Sequence, residues 1–231
     1  SLNGEWYYLT SNGDMVTGAQ TINNKEYYFT SEGVMVRGWH KENDKWKYYS
    51  PKKMSIYGRT FVEGEKVTGW LPINDKWYYI AEDGYMVTGI YKVGNRKYLF
   101  MEDGSMKTGW FKVDGTWYYI SPDGELRAQW VKSLSNWYYV DVDGKMVTGY
   151  QTINGAKYYF ASSGLMQKGW FKINGEDYYA ASSGTIQAQW VKSGRNWYYV
   201  DTDGKMVTGD YIIDRKVNYF DNQGLWMNKM N

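Results

Sequence analysis

The sequence predicts an all-β solenoid of about eleven to twelve stacked β-hairpins, and three observations predict it. One is a twenty-residue repeat: "WVKSLSNWYYVDVDGKMVTG" at 130–149 returns at 190–209 as "WVKSGRNWYYVDTDGKMVTG", with three substitutions. Another is a ring-rich composition, with 25 Tyr and 13 Trp in 231 residues and a mean hydropathy of −0.67. The third is punctuation, because Gly and Asn recur at fixed offsets and no helical periodicity interrupts them. Units too small to bury a face alone bury it against their neighbours, so a stack of them is stable without one central core.

With the first Trp of the repeat as position 1, units begin at Ala19, Trp39, Arg59, Trp70, Ile90, Trp110, Trp130, Tyr150, Trp170, Trp190 and Asp210. The chain reads as one repeat module over 1–231, degenerate over 1–69 and regular over 70–231. The unit at 59–69 has eleven residues and no aromatic strand. Residues 110–169 resemble 170–229 unit for unit, a trace of duplication. The chain starts part-way into a repeat, which suggests a piece of something longer.

Within a unit the elements follow in order. The first strand is "WVK" at 190–192, apolar and aromatic enough for a half-buried strand. A tight turn follows, "SGRN" here and "INGA" at 153–156, where Asn154–Gly155 is a strong hairpin signal. The second strand is "WYYV" at 197–200. In this hairpin Trp190 is expected opposite Tyr199, with Trp197 on the same face and Tyr198 on the other. A second turn, "DTDG", uses a Gly that accepts positive φ without steric cost, and "MVTG" connects to the next unit. With Leu and Ile scarce, tyrosine and tryptophan are expected to supply most of the buried surface.

Twelve of the thirteen tryptophans stand at positions 1 or 8, and only Trp226 does not. Core filling is the plain explanation for any one ring. Two features argue further for the pairs. Indole is seldom wholly buried and its N–H wants a partner. The units at 19, 90, 150 and 170 also carry Glu26, Lys97, Lys157 and Asp177 at position 8 yet keep the tyrosines and glycines, so the hairpin does not need the pair. Converging ring faces suit a quaternary ammonium, whose diffuse charge donates no hydrogen bond and is held by cation–π attraction. A sugar ring stacked on indole is the competing ligand.

The pattern GWxxxxxxWYYxxxxGxMxTG, carried by "GWFKVDGTWYYISPDGELRAQ" and "QWVKSGRNWYYVDTDGKMVTG", resembles the choline-binding, or cell-wall-binding, repeats of Gram-positive surface proteins, autolysins and phage lysins. The resemblance spans essentially the whole chain. It implies a left-handed superhelix of hairpins with choline held by two tryptophans of one unit, a tyrosine of the next and a nearby methionine. It places sites at Trp110, Trp117 and Tyr139, at Trp130, Trp137 and Tyr159, and at Trp190, Trp197 and Tyr219, with Met146 and Met206 as cage walls. Trp70 and Trp77 are expected to be weaker because Leu99 stands at the tyrosine position. Trp39 and Trp46 face the truncated unit, so a broken site and a kink are expected there. Trp170 is paired with Asp177 and is expected to form no standard site. The implied partner is choline or phosphocholine on teichoic and lipoteichoic acids, and the implied location is secreted and wall-associated. Glucan-binding domains share the "YYF…G" skeleton, so a carbohydrate-binding solenoid or a structural spacer stays open.

Other chemistry finds little support. There is no cysteine, which excludes disulfides, thiol catalysis and zinc–thiolate sites. The 27 basic and 25 acidic residues are interspersed, without the basic patch nucleic acid needs. No apolar run reaches the length of a membrane span. The sole histidine, His40, reads as a surface residue, and "DVDG" and "DTDG" read as turns, since no calcium-loop spacing follows. No catalytic signature or cofactor fingerprint is present, so the module is expected to be non-catalytic. Lys112, Lys132, Lys172 and Lys192, at position 3, are either phosphate screens or solvated strand edges.

Overall fold

The computed structural model describes residues 1–227 and consists of antiparallel hairpins with five-residue strands. Two compact units emerge, Ser1–Gly109 with Ile120–Leu126, and Trp110–Tyr119 with Arg127 onward. The first unit holds the hairpins Gly18–Ile22/Lys25–Phe29, Gly38–Glu42/Lys45–Tyr49, Gly69–Ile73/Lys76–Ile80 and Gly89–Val93/Arg96–Phe100, the last extended by Glu125–Leu126. The second holds Gln129–Ser133/Asn136–Val140, Gly149–Ile153/Ala156–Phe160, Gly169–Ile173/Glu176–Ala180, Gln189–Ser193/Asn196–Val200 and Gly209–Ile213/Lys216–Phe220, the last extended by Trp226–Met227. The hairpin Gly109–Val113/Thr116–Ile120 contributes residues 110–119 to the second unit.

Both expected turns form. Asn154 (φ 50°) and Gly155 (φ 80°) close a two-residue loop in the left-handed region that only Gly, Asn and Asp enter readily. In the second turn Asp201 Oδ1 accepts the N–H groups of Asp203 (2.8 Å) and Lys205 (2.9 Å), so the leading aspartate is consumed in shaping the backbone. The Gly of that turn carries a second constraint. A Cβ on Gly164 would lie 2.2 Å from Met146 Sδ, so the methionine of the preceding connector fills the space a side chain would take.

Hairpins are tied in series through the connectors. The N–H of Met146 donates to the carbonyl of Trp117 (2.9 Å) and that of Met166 to Trp137 (2.9 Å), as Met86 does to Trp46 (2.7 Å) and Met106 to Trp77 (2.6 Å). The deepest residue of each hairpin is neither Trp nor, with one exception, Tyr. It is position 11, the end of the second strand: Phe29, Tyr49, Ile80, Phe100, Ile120, Val140, Phe160, Ala180, Val200 and Phe220 are all buried. Position 2 adds Leu71, Val131 and Val191. The expected Tyr/Trp interior is therefore corrected: up to three aliphatic, Phe or Met side chains per unit, such as Leu71, Ile80 and Val87, make the dry core, and the indoles and most tyrosines lie half-exposed around it.

The unit expected at 59–69 is not a hairpin of the stack. Residues 62–69, "VEGEKVTG", form an ordinary connector matching "SEGVMVRG" at 31–38, and Tyr49 bridges Lys66 as Phe29 bridges Met35. Ser50 takes the place of Thr30 in the turn, and the eleven residues 51–61 are an insertion that folds into its own small hairpin, Met54–Ile56 with Arg59–Phe61. Met54, Ile56 and buried Phe61 join the cluster of Tyr48, Val67, Leu71 and Ile80.

Candidate functional site

Register explains how the rings gather. Trp130 pairs with Tyr139 and Lys132 with Trp137, so Trp130, Lys132, Trp137 and Tyr139 share one face, while Val131 and Tyr138 share the other. When like-oriented hairpins are stacked, the front of one meets the back of the next. Trp130 accordingly packs on Tyr158 (4.9 Å between centroids, 71°) and Phe160 (5.9 Å), both from the back face of hairpin 149–160.

This corrects the expected tyrosines. Trp110 and Trp117 gather with Tyr138, and Trp130 and Trp137 with Tyr158. Tyr139 rests instead on Trp130 of its own hairpin (5.1 Å), and Tyr159 meets Tyr150 edge-on (4.9 Å, 66°) and stacks on Phe171 (5.4 Å, 17°). Positions 9 and 10 lie on opposite faces, and front-to-back stacking turns position 9 toward the preceding tryptophan pair.

The same step repairs the N-terminal clusters. Trp70 and Trp77 meet Tyr98, 4.8 Å from Trp70, and Leu99 is irrelevant because it points the other way. Trp39 and Trp46 meet Tyr78, 5.2 Å from Trp39, because hairpin 69–80 is their neighbour and 51–61 is an insertion between the two. The ring geometry expected to be broken is complete. Trp190 and Trp197 gather with Trp226, 5.3 Å from Trp190 at 73°. Position 9 of that last hairpin is Asn218, whose Oδ1 accepts the Trp226 indole N–H at 3.1 Å, so Trp226 takes the missing tyrosine's place. Tyr219 lies on the opposite face, across from Asp210. Sequence reading gave Trp226 no role because it falls outside the repeat positions.

Five clusters thus share one geometry. The two indoles stand 6.2–6.5 Å apart at 82–87°, and a third ring from the following segment lies 4.8–5.4 Å from the first indole. Clefts of about 360 Å³ at Trp110–Trp117, about 380 Å³ at Trp130–Trp137 and about 280 Å³ at Trp39–Trp46 open between the rings. Each has a methionine wall, Met146, Met166 and Met86 respectively. Met206 falls elsewhere, with its N–H on the carbonyl of Asp177 (2.9 Å) in the cluster that lacks a second indole.

A turn from two hairpins further on closes each cleft: Ser163, Ser183, and Glu102 with Asp103. Hydrogen bonds from the Ser105 hydroxyl and amide, reinforced by Lys76, hold the Asp103 carboxyl down to about 2, so it is charged at neutral pH. The position-3 lysines stand over the second indole rather than over the cleft: Lys112, Lys132 and Lys192 lie 5.6–5.8 Å from the rings of Trp117, Trp137 and Trp197, while Lys172 pairs with Asp177 (2.7 Å).

Perpendicular indoles closed by a third ring offer π-faces from several directions, a surface that attracts a cation needing no hydrogen-bond acceptor of its own. Half-exposed rings such as Trp117 (42 % exposed) and Trp197 (39 %) leave it open to solvent.

A family model described as "Choline-binding repeat" matches residues 16–54, 67–96, 87–129 and 147–187, and one described as "Putative cell wall binding repeat" matches 1–15, 129–146 and 189–206. The fold is similar to that of CbpJ from Streptococcus pneumoniae TIGR4, with a TM-score of 0.64 and 25% identity over 97% of this chain and 98% of that one. Choline-binding protein F from Streptococcus pneumoniae gives 0.62 and 22% over 99% and 100%. The modular autolysin LytC of the same species gives 0.64 and 20% over 96% of this chain and 51% of its own. No curated protein sequence matches.

Proposed function

The chain belongs to the choline-binding repeat family, and from that premise we propose that it is a non-catalytic module whose five indole-paired clusters hold choline and so anchor a secreted protein to choline-decorated teichoic and lipoteichoic acids of a cell wall. The observation that carries the proposal is the recurrence of one cage geometry at Trp39, Trp70, Trp110, Trp130 and Trp190 while other positions vary. A trimethylammonium group fits between the rings, with cation–π attraction of about 0.5–2 kcal/mol per ring. After ordering costs a single cage binds weakly, and several cages on one chain meeting a repetitive polymer raise retention through effective concentration.

The test is a thermal melt of the whole chain with and without choline chloride, against sodium chloride of equal ionic strength. Each independent cage saturated at ten times its Kd adds about 1.4 kcal/mol to the native state, so the midpoint should rise steeply with choline. An unchanged midpoint together with retention on dextran would overturn the choline reading in favour of a glycan-binding one.

A further inference from the structure

The cleft at Trp70–Trp77 differs from its counterparts in size and lining. It measures about 940 Å³, at the top of the range for pockets that enclose a drug-sized ligand, whereas the other three stand near the bottom at about 280–380 Å³. The insertion at 51–61 supplies part of the difference, because its tip residue Tyr57 lines the cleft.

Tyr57 is a costly choice for its position. It sits in a two-residue turn at φ 47° and is 77% exposed, where the chain's other hairpins mostly use Asn or Asp; Leu134 and Arg215 are the other bulky side chains in such turns. The inserted hairpin is anchored by Met54, Ile56 and Phe61, so Tyr57 is not needed to hold it down. Its ring lies over Trp77 at 5.8 Å and 26°. Elsewhere a cross-strand lysine stands over the second indole, but here Pro72 occupies that position and the tyrosine takes over. The charged residues lining the same cleft are Lys76, Arg96 and Lys107 together with Asp75 and Asp123, and Lys76 is paired with Asp103 (3.0 Å). Arg96 faces Glu125 at 3.7 Å, and Lys107 makes no ion pair among the described residues.

We propose that this cleft is an extended site for a sugar carrying a phosphocholine ester. It rests on the choline reading of the cages: the trimethylammonium sits among Trp70, Trp77 and Tyr98, the phosphate meets Lys107, and the pyranose ring stacks its apolar face on Tyr57. The other cages have no counterpart of Tyr57: Ser163 lines the one at Trp117, Ser183 and Lys168 the one at Trp137, and Glu102 with Asp103 the one at Trp46, so they hold the choline end without a platform for the sugar.

The experiment follows indole N–H resonances of the full ¹⁵N-labelled chain, with Trp77 and Trp137 assigned through Trp77→Phe and Trp137→Phe. The probes are choline chloride, phosphocholine and a methyl glucoside bearing phosphocholine at O6. At Trp77 the glucoside ester should bind about tenfold tighter than choline, and at Trp137 within about threefold of it. Tyr57→Asn, which suits the positive φ and keeps the turn, should abolish most of that tenfold gain and leave choline binding at Trp77 within twofold. Lys107→Gln should weaken phosphocholine and the glucoside ester alike, again sparing choline. Equal ratios at Trp77 and Trp137, or a gain that survives Tyr57→Asn, overturn the extended site while the cages stand. If choline moves no indole resonance, the choline reading itself falls and the extension falls with it.

Discussion

Replacing Tyr158 and Tyr159 separately by leucine distinguishes the two ways of assigning a cage. Tyr158 closes the cleft of about 380 Å³ with Trp130, Trp137 and Met166, and its ring lies 4.9 Å from Trp130. Leucine keeps most of the volume and removes the π-face, a loss of about 1–2 kcal/mol of cation–π attraction. At about 1.4 kcal/mol per decade, choline at this cage should weaken about 5- to 30-fold. Tyr159 faces away and packs on Tyr150 and Phe171, contacts worth about 0.5–1.5 kcal/mol each beyond burial. Tyr159→Leu should therefore lower unfolding free energy by about 1–3 kcal/mol and leave choline affinity at Trp137 within about twofold. The assay is a choline titration followed at the Trp137 indole resonance, with urea unfolding in parallel. Weaker choline binding in Tyr159→Leu and none in Tyr158→Leu would refute the front-to-back argument.

Two further outcomes follow from particular contacts. Trp226→Leu should weaken choline at Trp197 by a similar 5- to 30-fold and leave Trp137 unaffected, and adding Asn218→Tyr should restore part of the loss by returning a ring to position 9; an unchanged Trp197 titration rejects the role of Trp226. Gly149→Ala (φ 70°, open space around it) should cost about 1–2 kcal/mol for the left-handed backbone alone, whereas Gly164→Ala (φ 79°) adds a clash with Met146 and should cost more in urea unfolding; equal costs reject the methionine packing.

What was legible in the sequence was local. Strand alternation put Trp190 opposite Tyr199 and Trp197 on the same face, as the register shows, because pairing within a five-residue hairpin is set by its two-residue turn. The tyrosine that completes each cage belongs to another hairpin, and choosing Tyr138 over Tyr139 requires knowing which face the neighbour presents. That rule was within reach, since identical units stacked in one sense must meet front to back. The insertion at 51–61 was also visible, because "VEGEKVTG" aligns with the other connectors once the hairpin is not forced onto it. The interior was misjudged for a different reason. Composition counts rings, but burial depends on face and depth, and a single aliphatic at position 11, such as Val140 or Ile120, is fully buried where larger rings only flank it.

Positions lacking the second tryptophan show what the pair is for. Glu26 meets Lys66, which stands where other connectors have methionine, and Lys157 meets Asp203 at 2.5 Å. Exposed ion pairs contribute about 0–1 kcal/mol, so neither replaces the stability that two half-buried indoles would give. The stack tolerates the exchange because position 11 carries the core in all these units. Hairpin 169–180 stands one substitution from a cage. Trp170 already lies 5.4 Å from Tyr198 at 74°, close to the 5.4 Å and 70° of Trp110 and Tyr138. The amide of Met206 already bonds to the carbonyl of Asp177, as that of Met146 does to Trp117. Asp177→Trp should therefore add a choline site, seen as one new indole resonance that titrates with choline. The new ring would stand cross-strand from Lys172, as Trp137 does from Lys132, so the lysine freed from its ion pair keeps a partner. Choline chloride should then raise the melting midpoint more than in the parent chain, by up to about 1.4 kcal/mol at ten times the new site's Kd. A folded variant whose new indole ignores choline would mean that the ring geometry does not suffice to make the site.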